Sequence, residues 1–132
     1  PSGNSMLAWV LLRLARLWGD DELERRAAGV FRLVEPMLAR APGAFGWALC
    51  ALDLWLAPPR ELAIVGPVES PVARAALAPF APNTVVAIGG PANGVPLLEG
   101  KSLVDGKPAV YVCERFACRA PVTDPGELRG IA

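Results

Sequence analysis

The chain has 132 residues, enough for one domain or for two small units, with 13 basic residues balanced by 13 acidic ones and no histidine. Balanced charge without a basic block or interleaved aromatics argues against a nucleic-acid partner. The missing histidine removes the commonest general base and metal ligand, so Ser-His-Asp and Cys-His catalysis are excluded within the chain.

At 53% hydrophobic and 20% charged residues, the chain is more apolar than a typical soluble domain, and part of its surface is expected to be covered by something else. Arginine outnumbers lysine, and alanine and proline are abundant, as in chains from GC-rich bacterial genomes. Three cysteines without histidine do not by themselves close a tetrahedral zinc site, so neither a metal nor a cofactor is expected. The longest apolar run, Met6 to Leu12, falls far short of the ~20 residues that span a bilayer, so no membrane partner is expected. The first residue is Pro1 rather than Met, so the natural N-terminus is expected to lie elsewhere.

The residues up to Ala57 read as helices. Ser5 is placed to cap a helix from about Met6 to Trp18, apolar on nearly every side except at Arg13 and Arg16. Gly19 ends it, and Asp20 or Asp21 caps the next. There Leu23, Ala27, Val30, Phe31, Val34, Met37 and Leu38 keep helical spacing, interrupted at Pro36, which is expected to kink the last turn. After Ala41-Pro42-Gly43 a third helix, about Ala44 to Leu56, is apolar except at Asp53, and Pro58-Pro59 stops it. Short connections make these antiparallel hairpins.

At Arg60 the pattern changes. ELAIVG (Glu61–Gly66) and NTVVAIGG (Asn83–Gly90) read as buried strands around a helix opened by Ser70 and Pro71. Continuous apolar strands in a strand–helix–strand order imply parallel pairing. A Gly/Pro-rich loop leads to a third strand, Ala109–Cys113, and a capped helix over Thr123–Ile131 closes the chain. The expected class is α+β: helical hairpins over 1–58, then over 59–132 a small three-layer α/β unit on a mostly parallel three-stranded sheet.

The candidate chemistry is thin. Cys113 and Cys118 face opposite sides of an extended strand and meet only if Glu114–Ala117 turns. Two reduced packing residues are the plainer reading. A reversible dithiol, with Arg115 and Arg119 lowering a thiol pKa, is the functional one, and a shared metal site ranks below it. Cys50 reads as a small core residue. The polar Pro1–Ser5 stretch reads as a cap, or alternatively Asn4 and Ser5 face a pocket at a helix end. Asp53 reads as a hydrogen-bonded or paired acid rather than a catalytic one. Gly66 belongs to no phosphate-binding motif. Arg60, Glu61, Glu99, Lys101, Asp105 and Lys107 read as solvated charges.

Three stretches carry a family resemblance: PSGNS opening a helix, ALDLWLAPPRELAIVG (Ala51–Gly66), and LLEGKSLVDGKPAVYVCERFACRAPVTDPGEL (Leu97–Leu128). The chain resembles, over essentially its whole length, the C-terminal end of the bacterial YyaL-like family that includes spermatogenesis-associated protein 20 of animals. These are thioredoxin domain-containing proteins with a helical toroid like that of six-hairpin glycosidases and sugar epimerases. The resemblance implies a non-catalytic fragment, with 1–58 as the last toroid helices and 59–132 as a Rossmann-like C-terminal subdomain. Ser2, Gly3, Asn4 and Ser5 would be what remains of the toroid pocket, as part of a sugar isomerase or hydrolase. Cys113 and Cys118 would alternatively make the α/β unit a thiol redox or binding module. The implied partner is the rest of the parent polypeptide, the expected setting is the cytoplasm, and the isolated chain is expected to self-associate.

Overall fold

The computed structural model describes residues 3–128, and the chain divides into two compact units, Pro1–Pro58 and Pro59–Ala132.

The first unit is three helices: α1 (Gly3–Trp18), α2 (Asp21–Arg40) and α3 (Gly46–Leu56), with a 3₁₀ turn at Pro42–Phe45 before α3. Gly19, at φ 66°, takes the left-handed conformation that closes α1. Asp20 caps α2 by accepting the Glu22 backbone N–H at 2.8 Å, while Asp21, Glu22 and Glu24 sit at its positive end. Ala8 and Leu12 of α1, Ala27 and Phe31 of α2, and Ala51 and Leu54 of α3 form the core. Small alanines let the three axes approach closely, and aromatic rings fill the rim. Phe31 stacks on Trp55 at 5.1 Å, and the Trp55 indole N–H donates to the Glu24 carboxylate at 2.9 Å. The Arg16 guanidinium donates to the Leu54 carbonyl, one of the last carbonyls of α3 that have no partner within the helix.

Helix α2 runs through Pro36 to Arg40 and stops at the expected Ala41-Pro42-Gly43 break, because one lost backbone bond near the end of a 20-residue helix is outweighed by the packing of Ala27, Phe31 and Val34. Two expectations for this unit are corrected. Ser5 does not cap α1; the helix already includes Gly3 and Asn4, and Ser5 is buried within it. Cys50 is exposed rather than buried, since the inward positions of α3 are Ala48, Ala51 and Leu54.

The second unit is built on a sheet of four strands in the order β2-β1-β3-β4: β1 (Arg60–Val65), β2 (Thr84–Ile88), β3 (Ala109–Glu114) and β4 (Ala117–Cys118). Helix α4 (Pro71–Leu77) links β1 to β2, which run parallel as expected. Its cap is Ser70, whose hydroxyl accepts the Ala73 N–H at 3.4 Å, with Pro71 in the first helical position. The expected mostly parallel three-stranded sheet is corrected. The sheet is mixed, since β3 runs antiparallel to β1 and β4 antiparallel to β3. The loop after β2 carries no crossover helix; it re-enters the sheet where β1 ends, pairing Ala109 with Val65, so the incoming strand runs the opposite way.

Leu62 and Ile64 of β1 and Val110 and Val112 of β3 pack with Val72, Ala73 and Ala76 of α4, closed by Val122 and Leu128. Leu97 and Leu98, in a 3₁₀ turn at Pro96–Leu98, are buried against β1 and β2. The closing helix expected over Thr123–Ile131 is a 3₁₀ turn at Pro125–Leu128, with the Asp124 carboxylate accepting the Gly126 N–H at 2.7 Å; residues 129–131 lie outside the described residues.

Candidate functional site

Strands β3 and β4 are joined by the two-residue turn Arg115-Phe116, whose φ angles of 48° and 66° are those of a type I′ hairpin turn. This turn brings the two cysteines together. Cys113 faces Cys118 across the ladder, and the sulfurs are bonded. The Arg119 N–H donates to the Val112 carbonyl at 2.9 Å in the next row, so Cys113 and Cys118 form a pair that exchanges no backbone hydrogen bonds, where side chains lie closest. Pro121, which has no N–H to give, follows closely and keeps β4 short. The plainer expectation of two separate reduced thiols is thereby replaced by a disulfide.

The bond is unequal in its surroundings. Cys113 is 0% exposed, whereas Cys118 lies on the exposed edge strand. Residues opposite one another across a ladder share a face, so Glu61, Cys113 and Cys118 form one row across β1, β3 and β4. Tyr111, two residues before Cys113, lies on the same face. Its hydroxyl donates to the Ser102 carbonyl at 2.9 Å and accepts the Ser102 N–H at 3.3 Å, with the Lys101 ammonium 6.0 Å from its ring centre. Glu61, at 1% exposure, and Lys101, at 9%, were expected to be solvated and are buried instead. For Glu61 the signal was its place in the ELAIVG run, a strand buried on both faces. Arg119 turns away from the sulfurs: it pairs with Glu114 at 3.4 Å on the opposite face of the hairpin.

At the far end of the sheet, beyond the C-terminal ends of β1 and β2, an open crevice of about 600 Å³ is lined by Val65, Gly66, Gly89, Gly90, Pro91, Ser102 and Leu103. Gly66, at φ 121°, lies so close to Pro108 that an added Cβ would sit 2.8 Å from the proline Cβ. Among the described residues its lining is apolar or small, with the Ser102 hydroxyl as its polar side chain.

Of the residues expected at a toroid pocket, Gly3 and Asn4 are exposed and Ser5 is buried, all in the first turn and a half of α1; Ser2 lies outside the described residues. Asp53 is exposed on α3. Among the described residues, no group of three His, Cys, Asp or Glu side chains is placed to hold a metal ion, and no helix is long and apolar enough to cross a membrane.

No family model matches the chain, and no solved structure matches it. It is similar over 98% of its length to spermatogenesis-associated protein 20: 29% identical to the protein of Rattus norvegicus and 27% identical to those of Homo sapiens and Mus musculus. The chain spans only 18% of the length of these relatives.

Proposed function

We propose that this chain is a non-catalytic C-terminal portion of a larger protein of the spermatogenesis-associated protein 20 kind, and that its three helices complete a helical domain, an α/α toroid, supplied by the rest of the parent. One observation carries the reading. Helix α1 has a second apolar face, opposite the one that meets α2 and α3. Met6, Leu7, Val10 and Trp18 are 43%, 48%, 41% and 47% exposed, and half-buried Leu14 and Leu17 extend the same stripe. A helix that is apolar on two sides belongs between two neighbours. Coverage of nearly the whole chain but under a fifth of each relative is the pattern of one segment of a longer polypeptide. The finer elements, a thioredoxin-like domain upstream and a sugar-enzyme-like toroid whose pocket wall includes Gly3, Asn4 and Ser5, rest on the sequence resemblance.

Light scattering and binding of a hydrophobic dye test it. The isolated chain should self-associate and bind dye, and the double substitution Leu7→Lys, Val10→Glu should suppress both while leaving helical circular dichroism intact. A wild-type chain that stays monomeric and dye-free at high concentration overturns the reading.

A second reading, favoured by the bonded and half-exposed Cys113–Cys118 pair, is that the α/β unit is a thiol redox module. In a cytoplasmic setting, disulfides are uncommon and those that occur are mostly transient, catalytic or redox-sensing. Its test is whether the bond opens and re-forms in the folded protein across a glutathione redox series.

A further inference from the structure

We propose that exchange at this disulfide is directional: an incoming thiolate attacks Cys118 Sγ, and Cys113 Sγ is the buried leaving sulfur. The inference rests on the redox reading above and adds to it which sulfur meets the co-reactant, a low-molecular-weight or protein dithiol approaching the open edge of the sheet.

Thiol–disulfide exchange proceeds by in-line displacement, so the attacking sulfur arrives on the side away from the bond that breaks. The row Glu61, Cys113, Cys118 therefore decides the outcome. To attack Cys113, a thiolate must come from the β1 side. That place in the row belongs to Glu61, itself 1% exposed, and Cys113 is 0% exposed. Attack on Cys118 comes from the other direction, past the exposed strand β4, which is the edge of the sheet among the described residues. Access and register favour the same sulfur.

In the first step a bond forms between the external sulfur and Cys118 Sγ. The Cys113–Cys118 bond breaks, its electron pair leaves on Cys113 Sγ, and that thiolate takes a proton from water. In the second step the co-reactant's other thiolate attacks its own sulfur in the mixed disulfide. Cys118 leaves as a thiolate and is protonated, and the dithiol departs as a disulfide. The protein disulfide is reduced by two electrons and the dithiol is oxidised by two.

Reduced glutathione serves as the probe, on the full chain carrying Cys50→Ser so that the exposed free thiol does not compete. The folded, oxidised protein is mixed with glutathione, quenched in acid at short times, alkylated and digested with trypsin. Cleavage after Arg115 places Cys113 and Cys118 on separate peptides. The expected result is glutathione on Cys118 in at least tenfold excess over Cys113, with the alkyl group on Cys113, and loss of that bias in denaturant. Equal adducts, or an excess on Cys113, overturn the directionality while leaving the redox reading standing. A bias that persists in the unfolded chain also overturns it, because burial is then not the cause. If no adduct forms until the protein unfolds, the redox reading falls and the directionality with it.

Discussion

Reducing the Cys113–Cys118 bond should cost the α/β unit about 2 kcal/mol of stability. The bond links residues only five apart in sequence. In the chain-entropy account, a closed loop of about six residues removes ~7 cal/mol/K from the unfolded chain, or about 2 kcal/mol near room temperature, against roughly 4.7 for a loop of ~100 residues. By linkage, the folded protein should hold the bond at a potential ~40 mV more reducing than the unfolded chain does. All four tryptophans, Trp9, Trp18, Trp47 and Trp55, lie in the helical unit, so fluorescence reports on the wrong part of the molecule. Hydrogen exchange at the Val110 and Val112 amides of β3 is the suitable assay, and reduction should lower protection there by roughly 30-fold. A change smaller than about 0.5 kcal/mol would mean that the reduced, unfolded hairpin is already closed. A loss of about 4 kcal/mol or more would mean that β4 does not form without the bond. Either result refutes the loop-closure reasoning.

Phe116→Gly should stabilise the oxidised protein by about 1 kcal/mol in urea unfolding, because Phe116 sits at φ 66°, where only glycine is free of strain. Leu54→Ala should destabilise the helical unit by roughly 2–5 kcal/mol, read from tryptophan fluorescence, since Leu54 is 0% exposed at the meeting point of the three helices. Glu22 has its carboxyl held below its ordinary value by hydrogen bonds from Arg25 and then Arg26. A depressed carboxyl contributes stability above the ordinary carboxylate range and loses it as pH falls through the lowered value; NMR titration of Glu22 should show that lowered midpoint, and Arg25→Gln should raise it.

The α1–α2 junction and the β1-α4-β2 unit were legible because their signals are local: Gly19 and Asp20 at the junction, Ser70-Pro71 at the start of α4, continuous apolar runs for the strands. The direction of β3 was not legible, because it depends on where a long irregular loop delivers the chain and not on the composition of the strand. The two tight turns of the second unit make the contrast plain. Val104-Asp105-Gly106-Lys107 carries the Asp-Gly pair typical of a type I′ turn and closes with N–H···O bonds of 3.0 and 2.8 Å. Glu114-Arg115-Phe116-Ala117 takes the same geometry with two residues that disfavour it, so spacing alone left the cysteines unpaired. Glu61 was read as solvated although its place in an apolar run marked it as buried: charge predicts exposure only until a strand is covered on both faces. Lys101 lies in an irregular segment, where no periodicity marks its burial.

A disulfide serves chiefly as a staple or as a reagent, and three features of this one argue for the second role. Its loop is short, so it constrains the unfolded chain by about 2 kcal/mol, less than half of what a loop of ~100 residues would give. It spans a turn of two L-residues at positive φ, each of which costs roughly 1 kcal/mol that the hairpin has to offset; a bond used only for stability would be better placed under an Asn-Gly turn. One of its two residues, Cys118, is exposed on the edge strand, where a structural bond would gain from burial on both sides. The second apolar face of α1 speaks to a different matter, the company the chain keeps. The two readings therefore fail separately: a monomeric, dye-free chain would leave the exchange chemistry of the hairpin untouched, and an inert disulfide would leave α1 still in need of a neighbour.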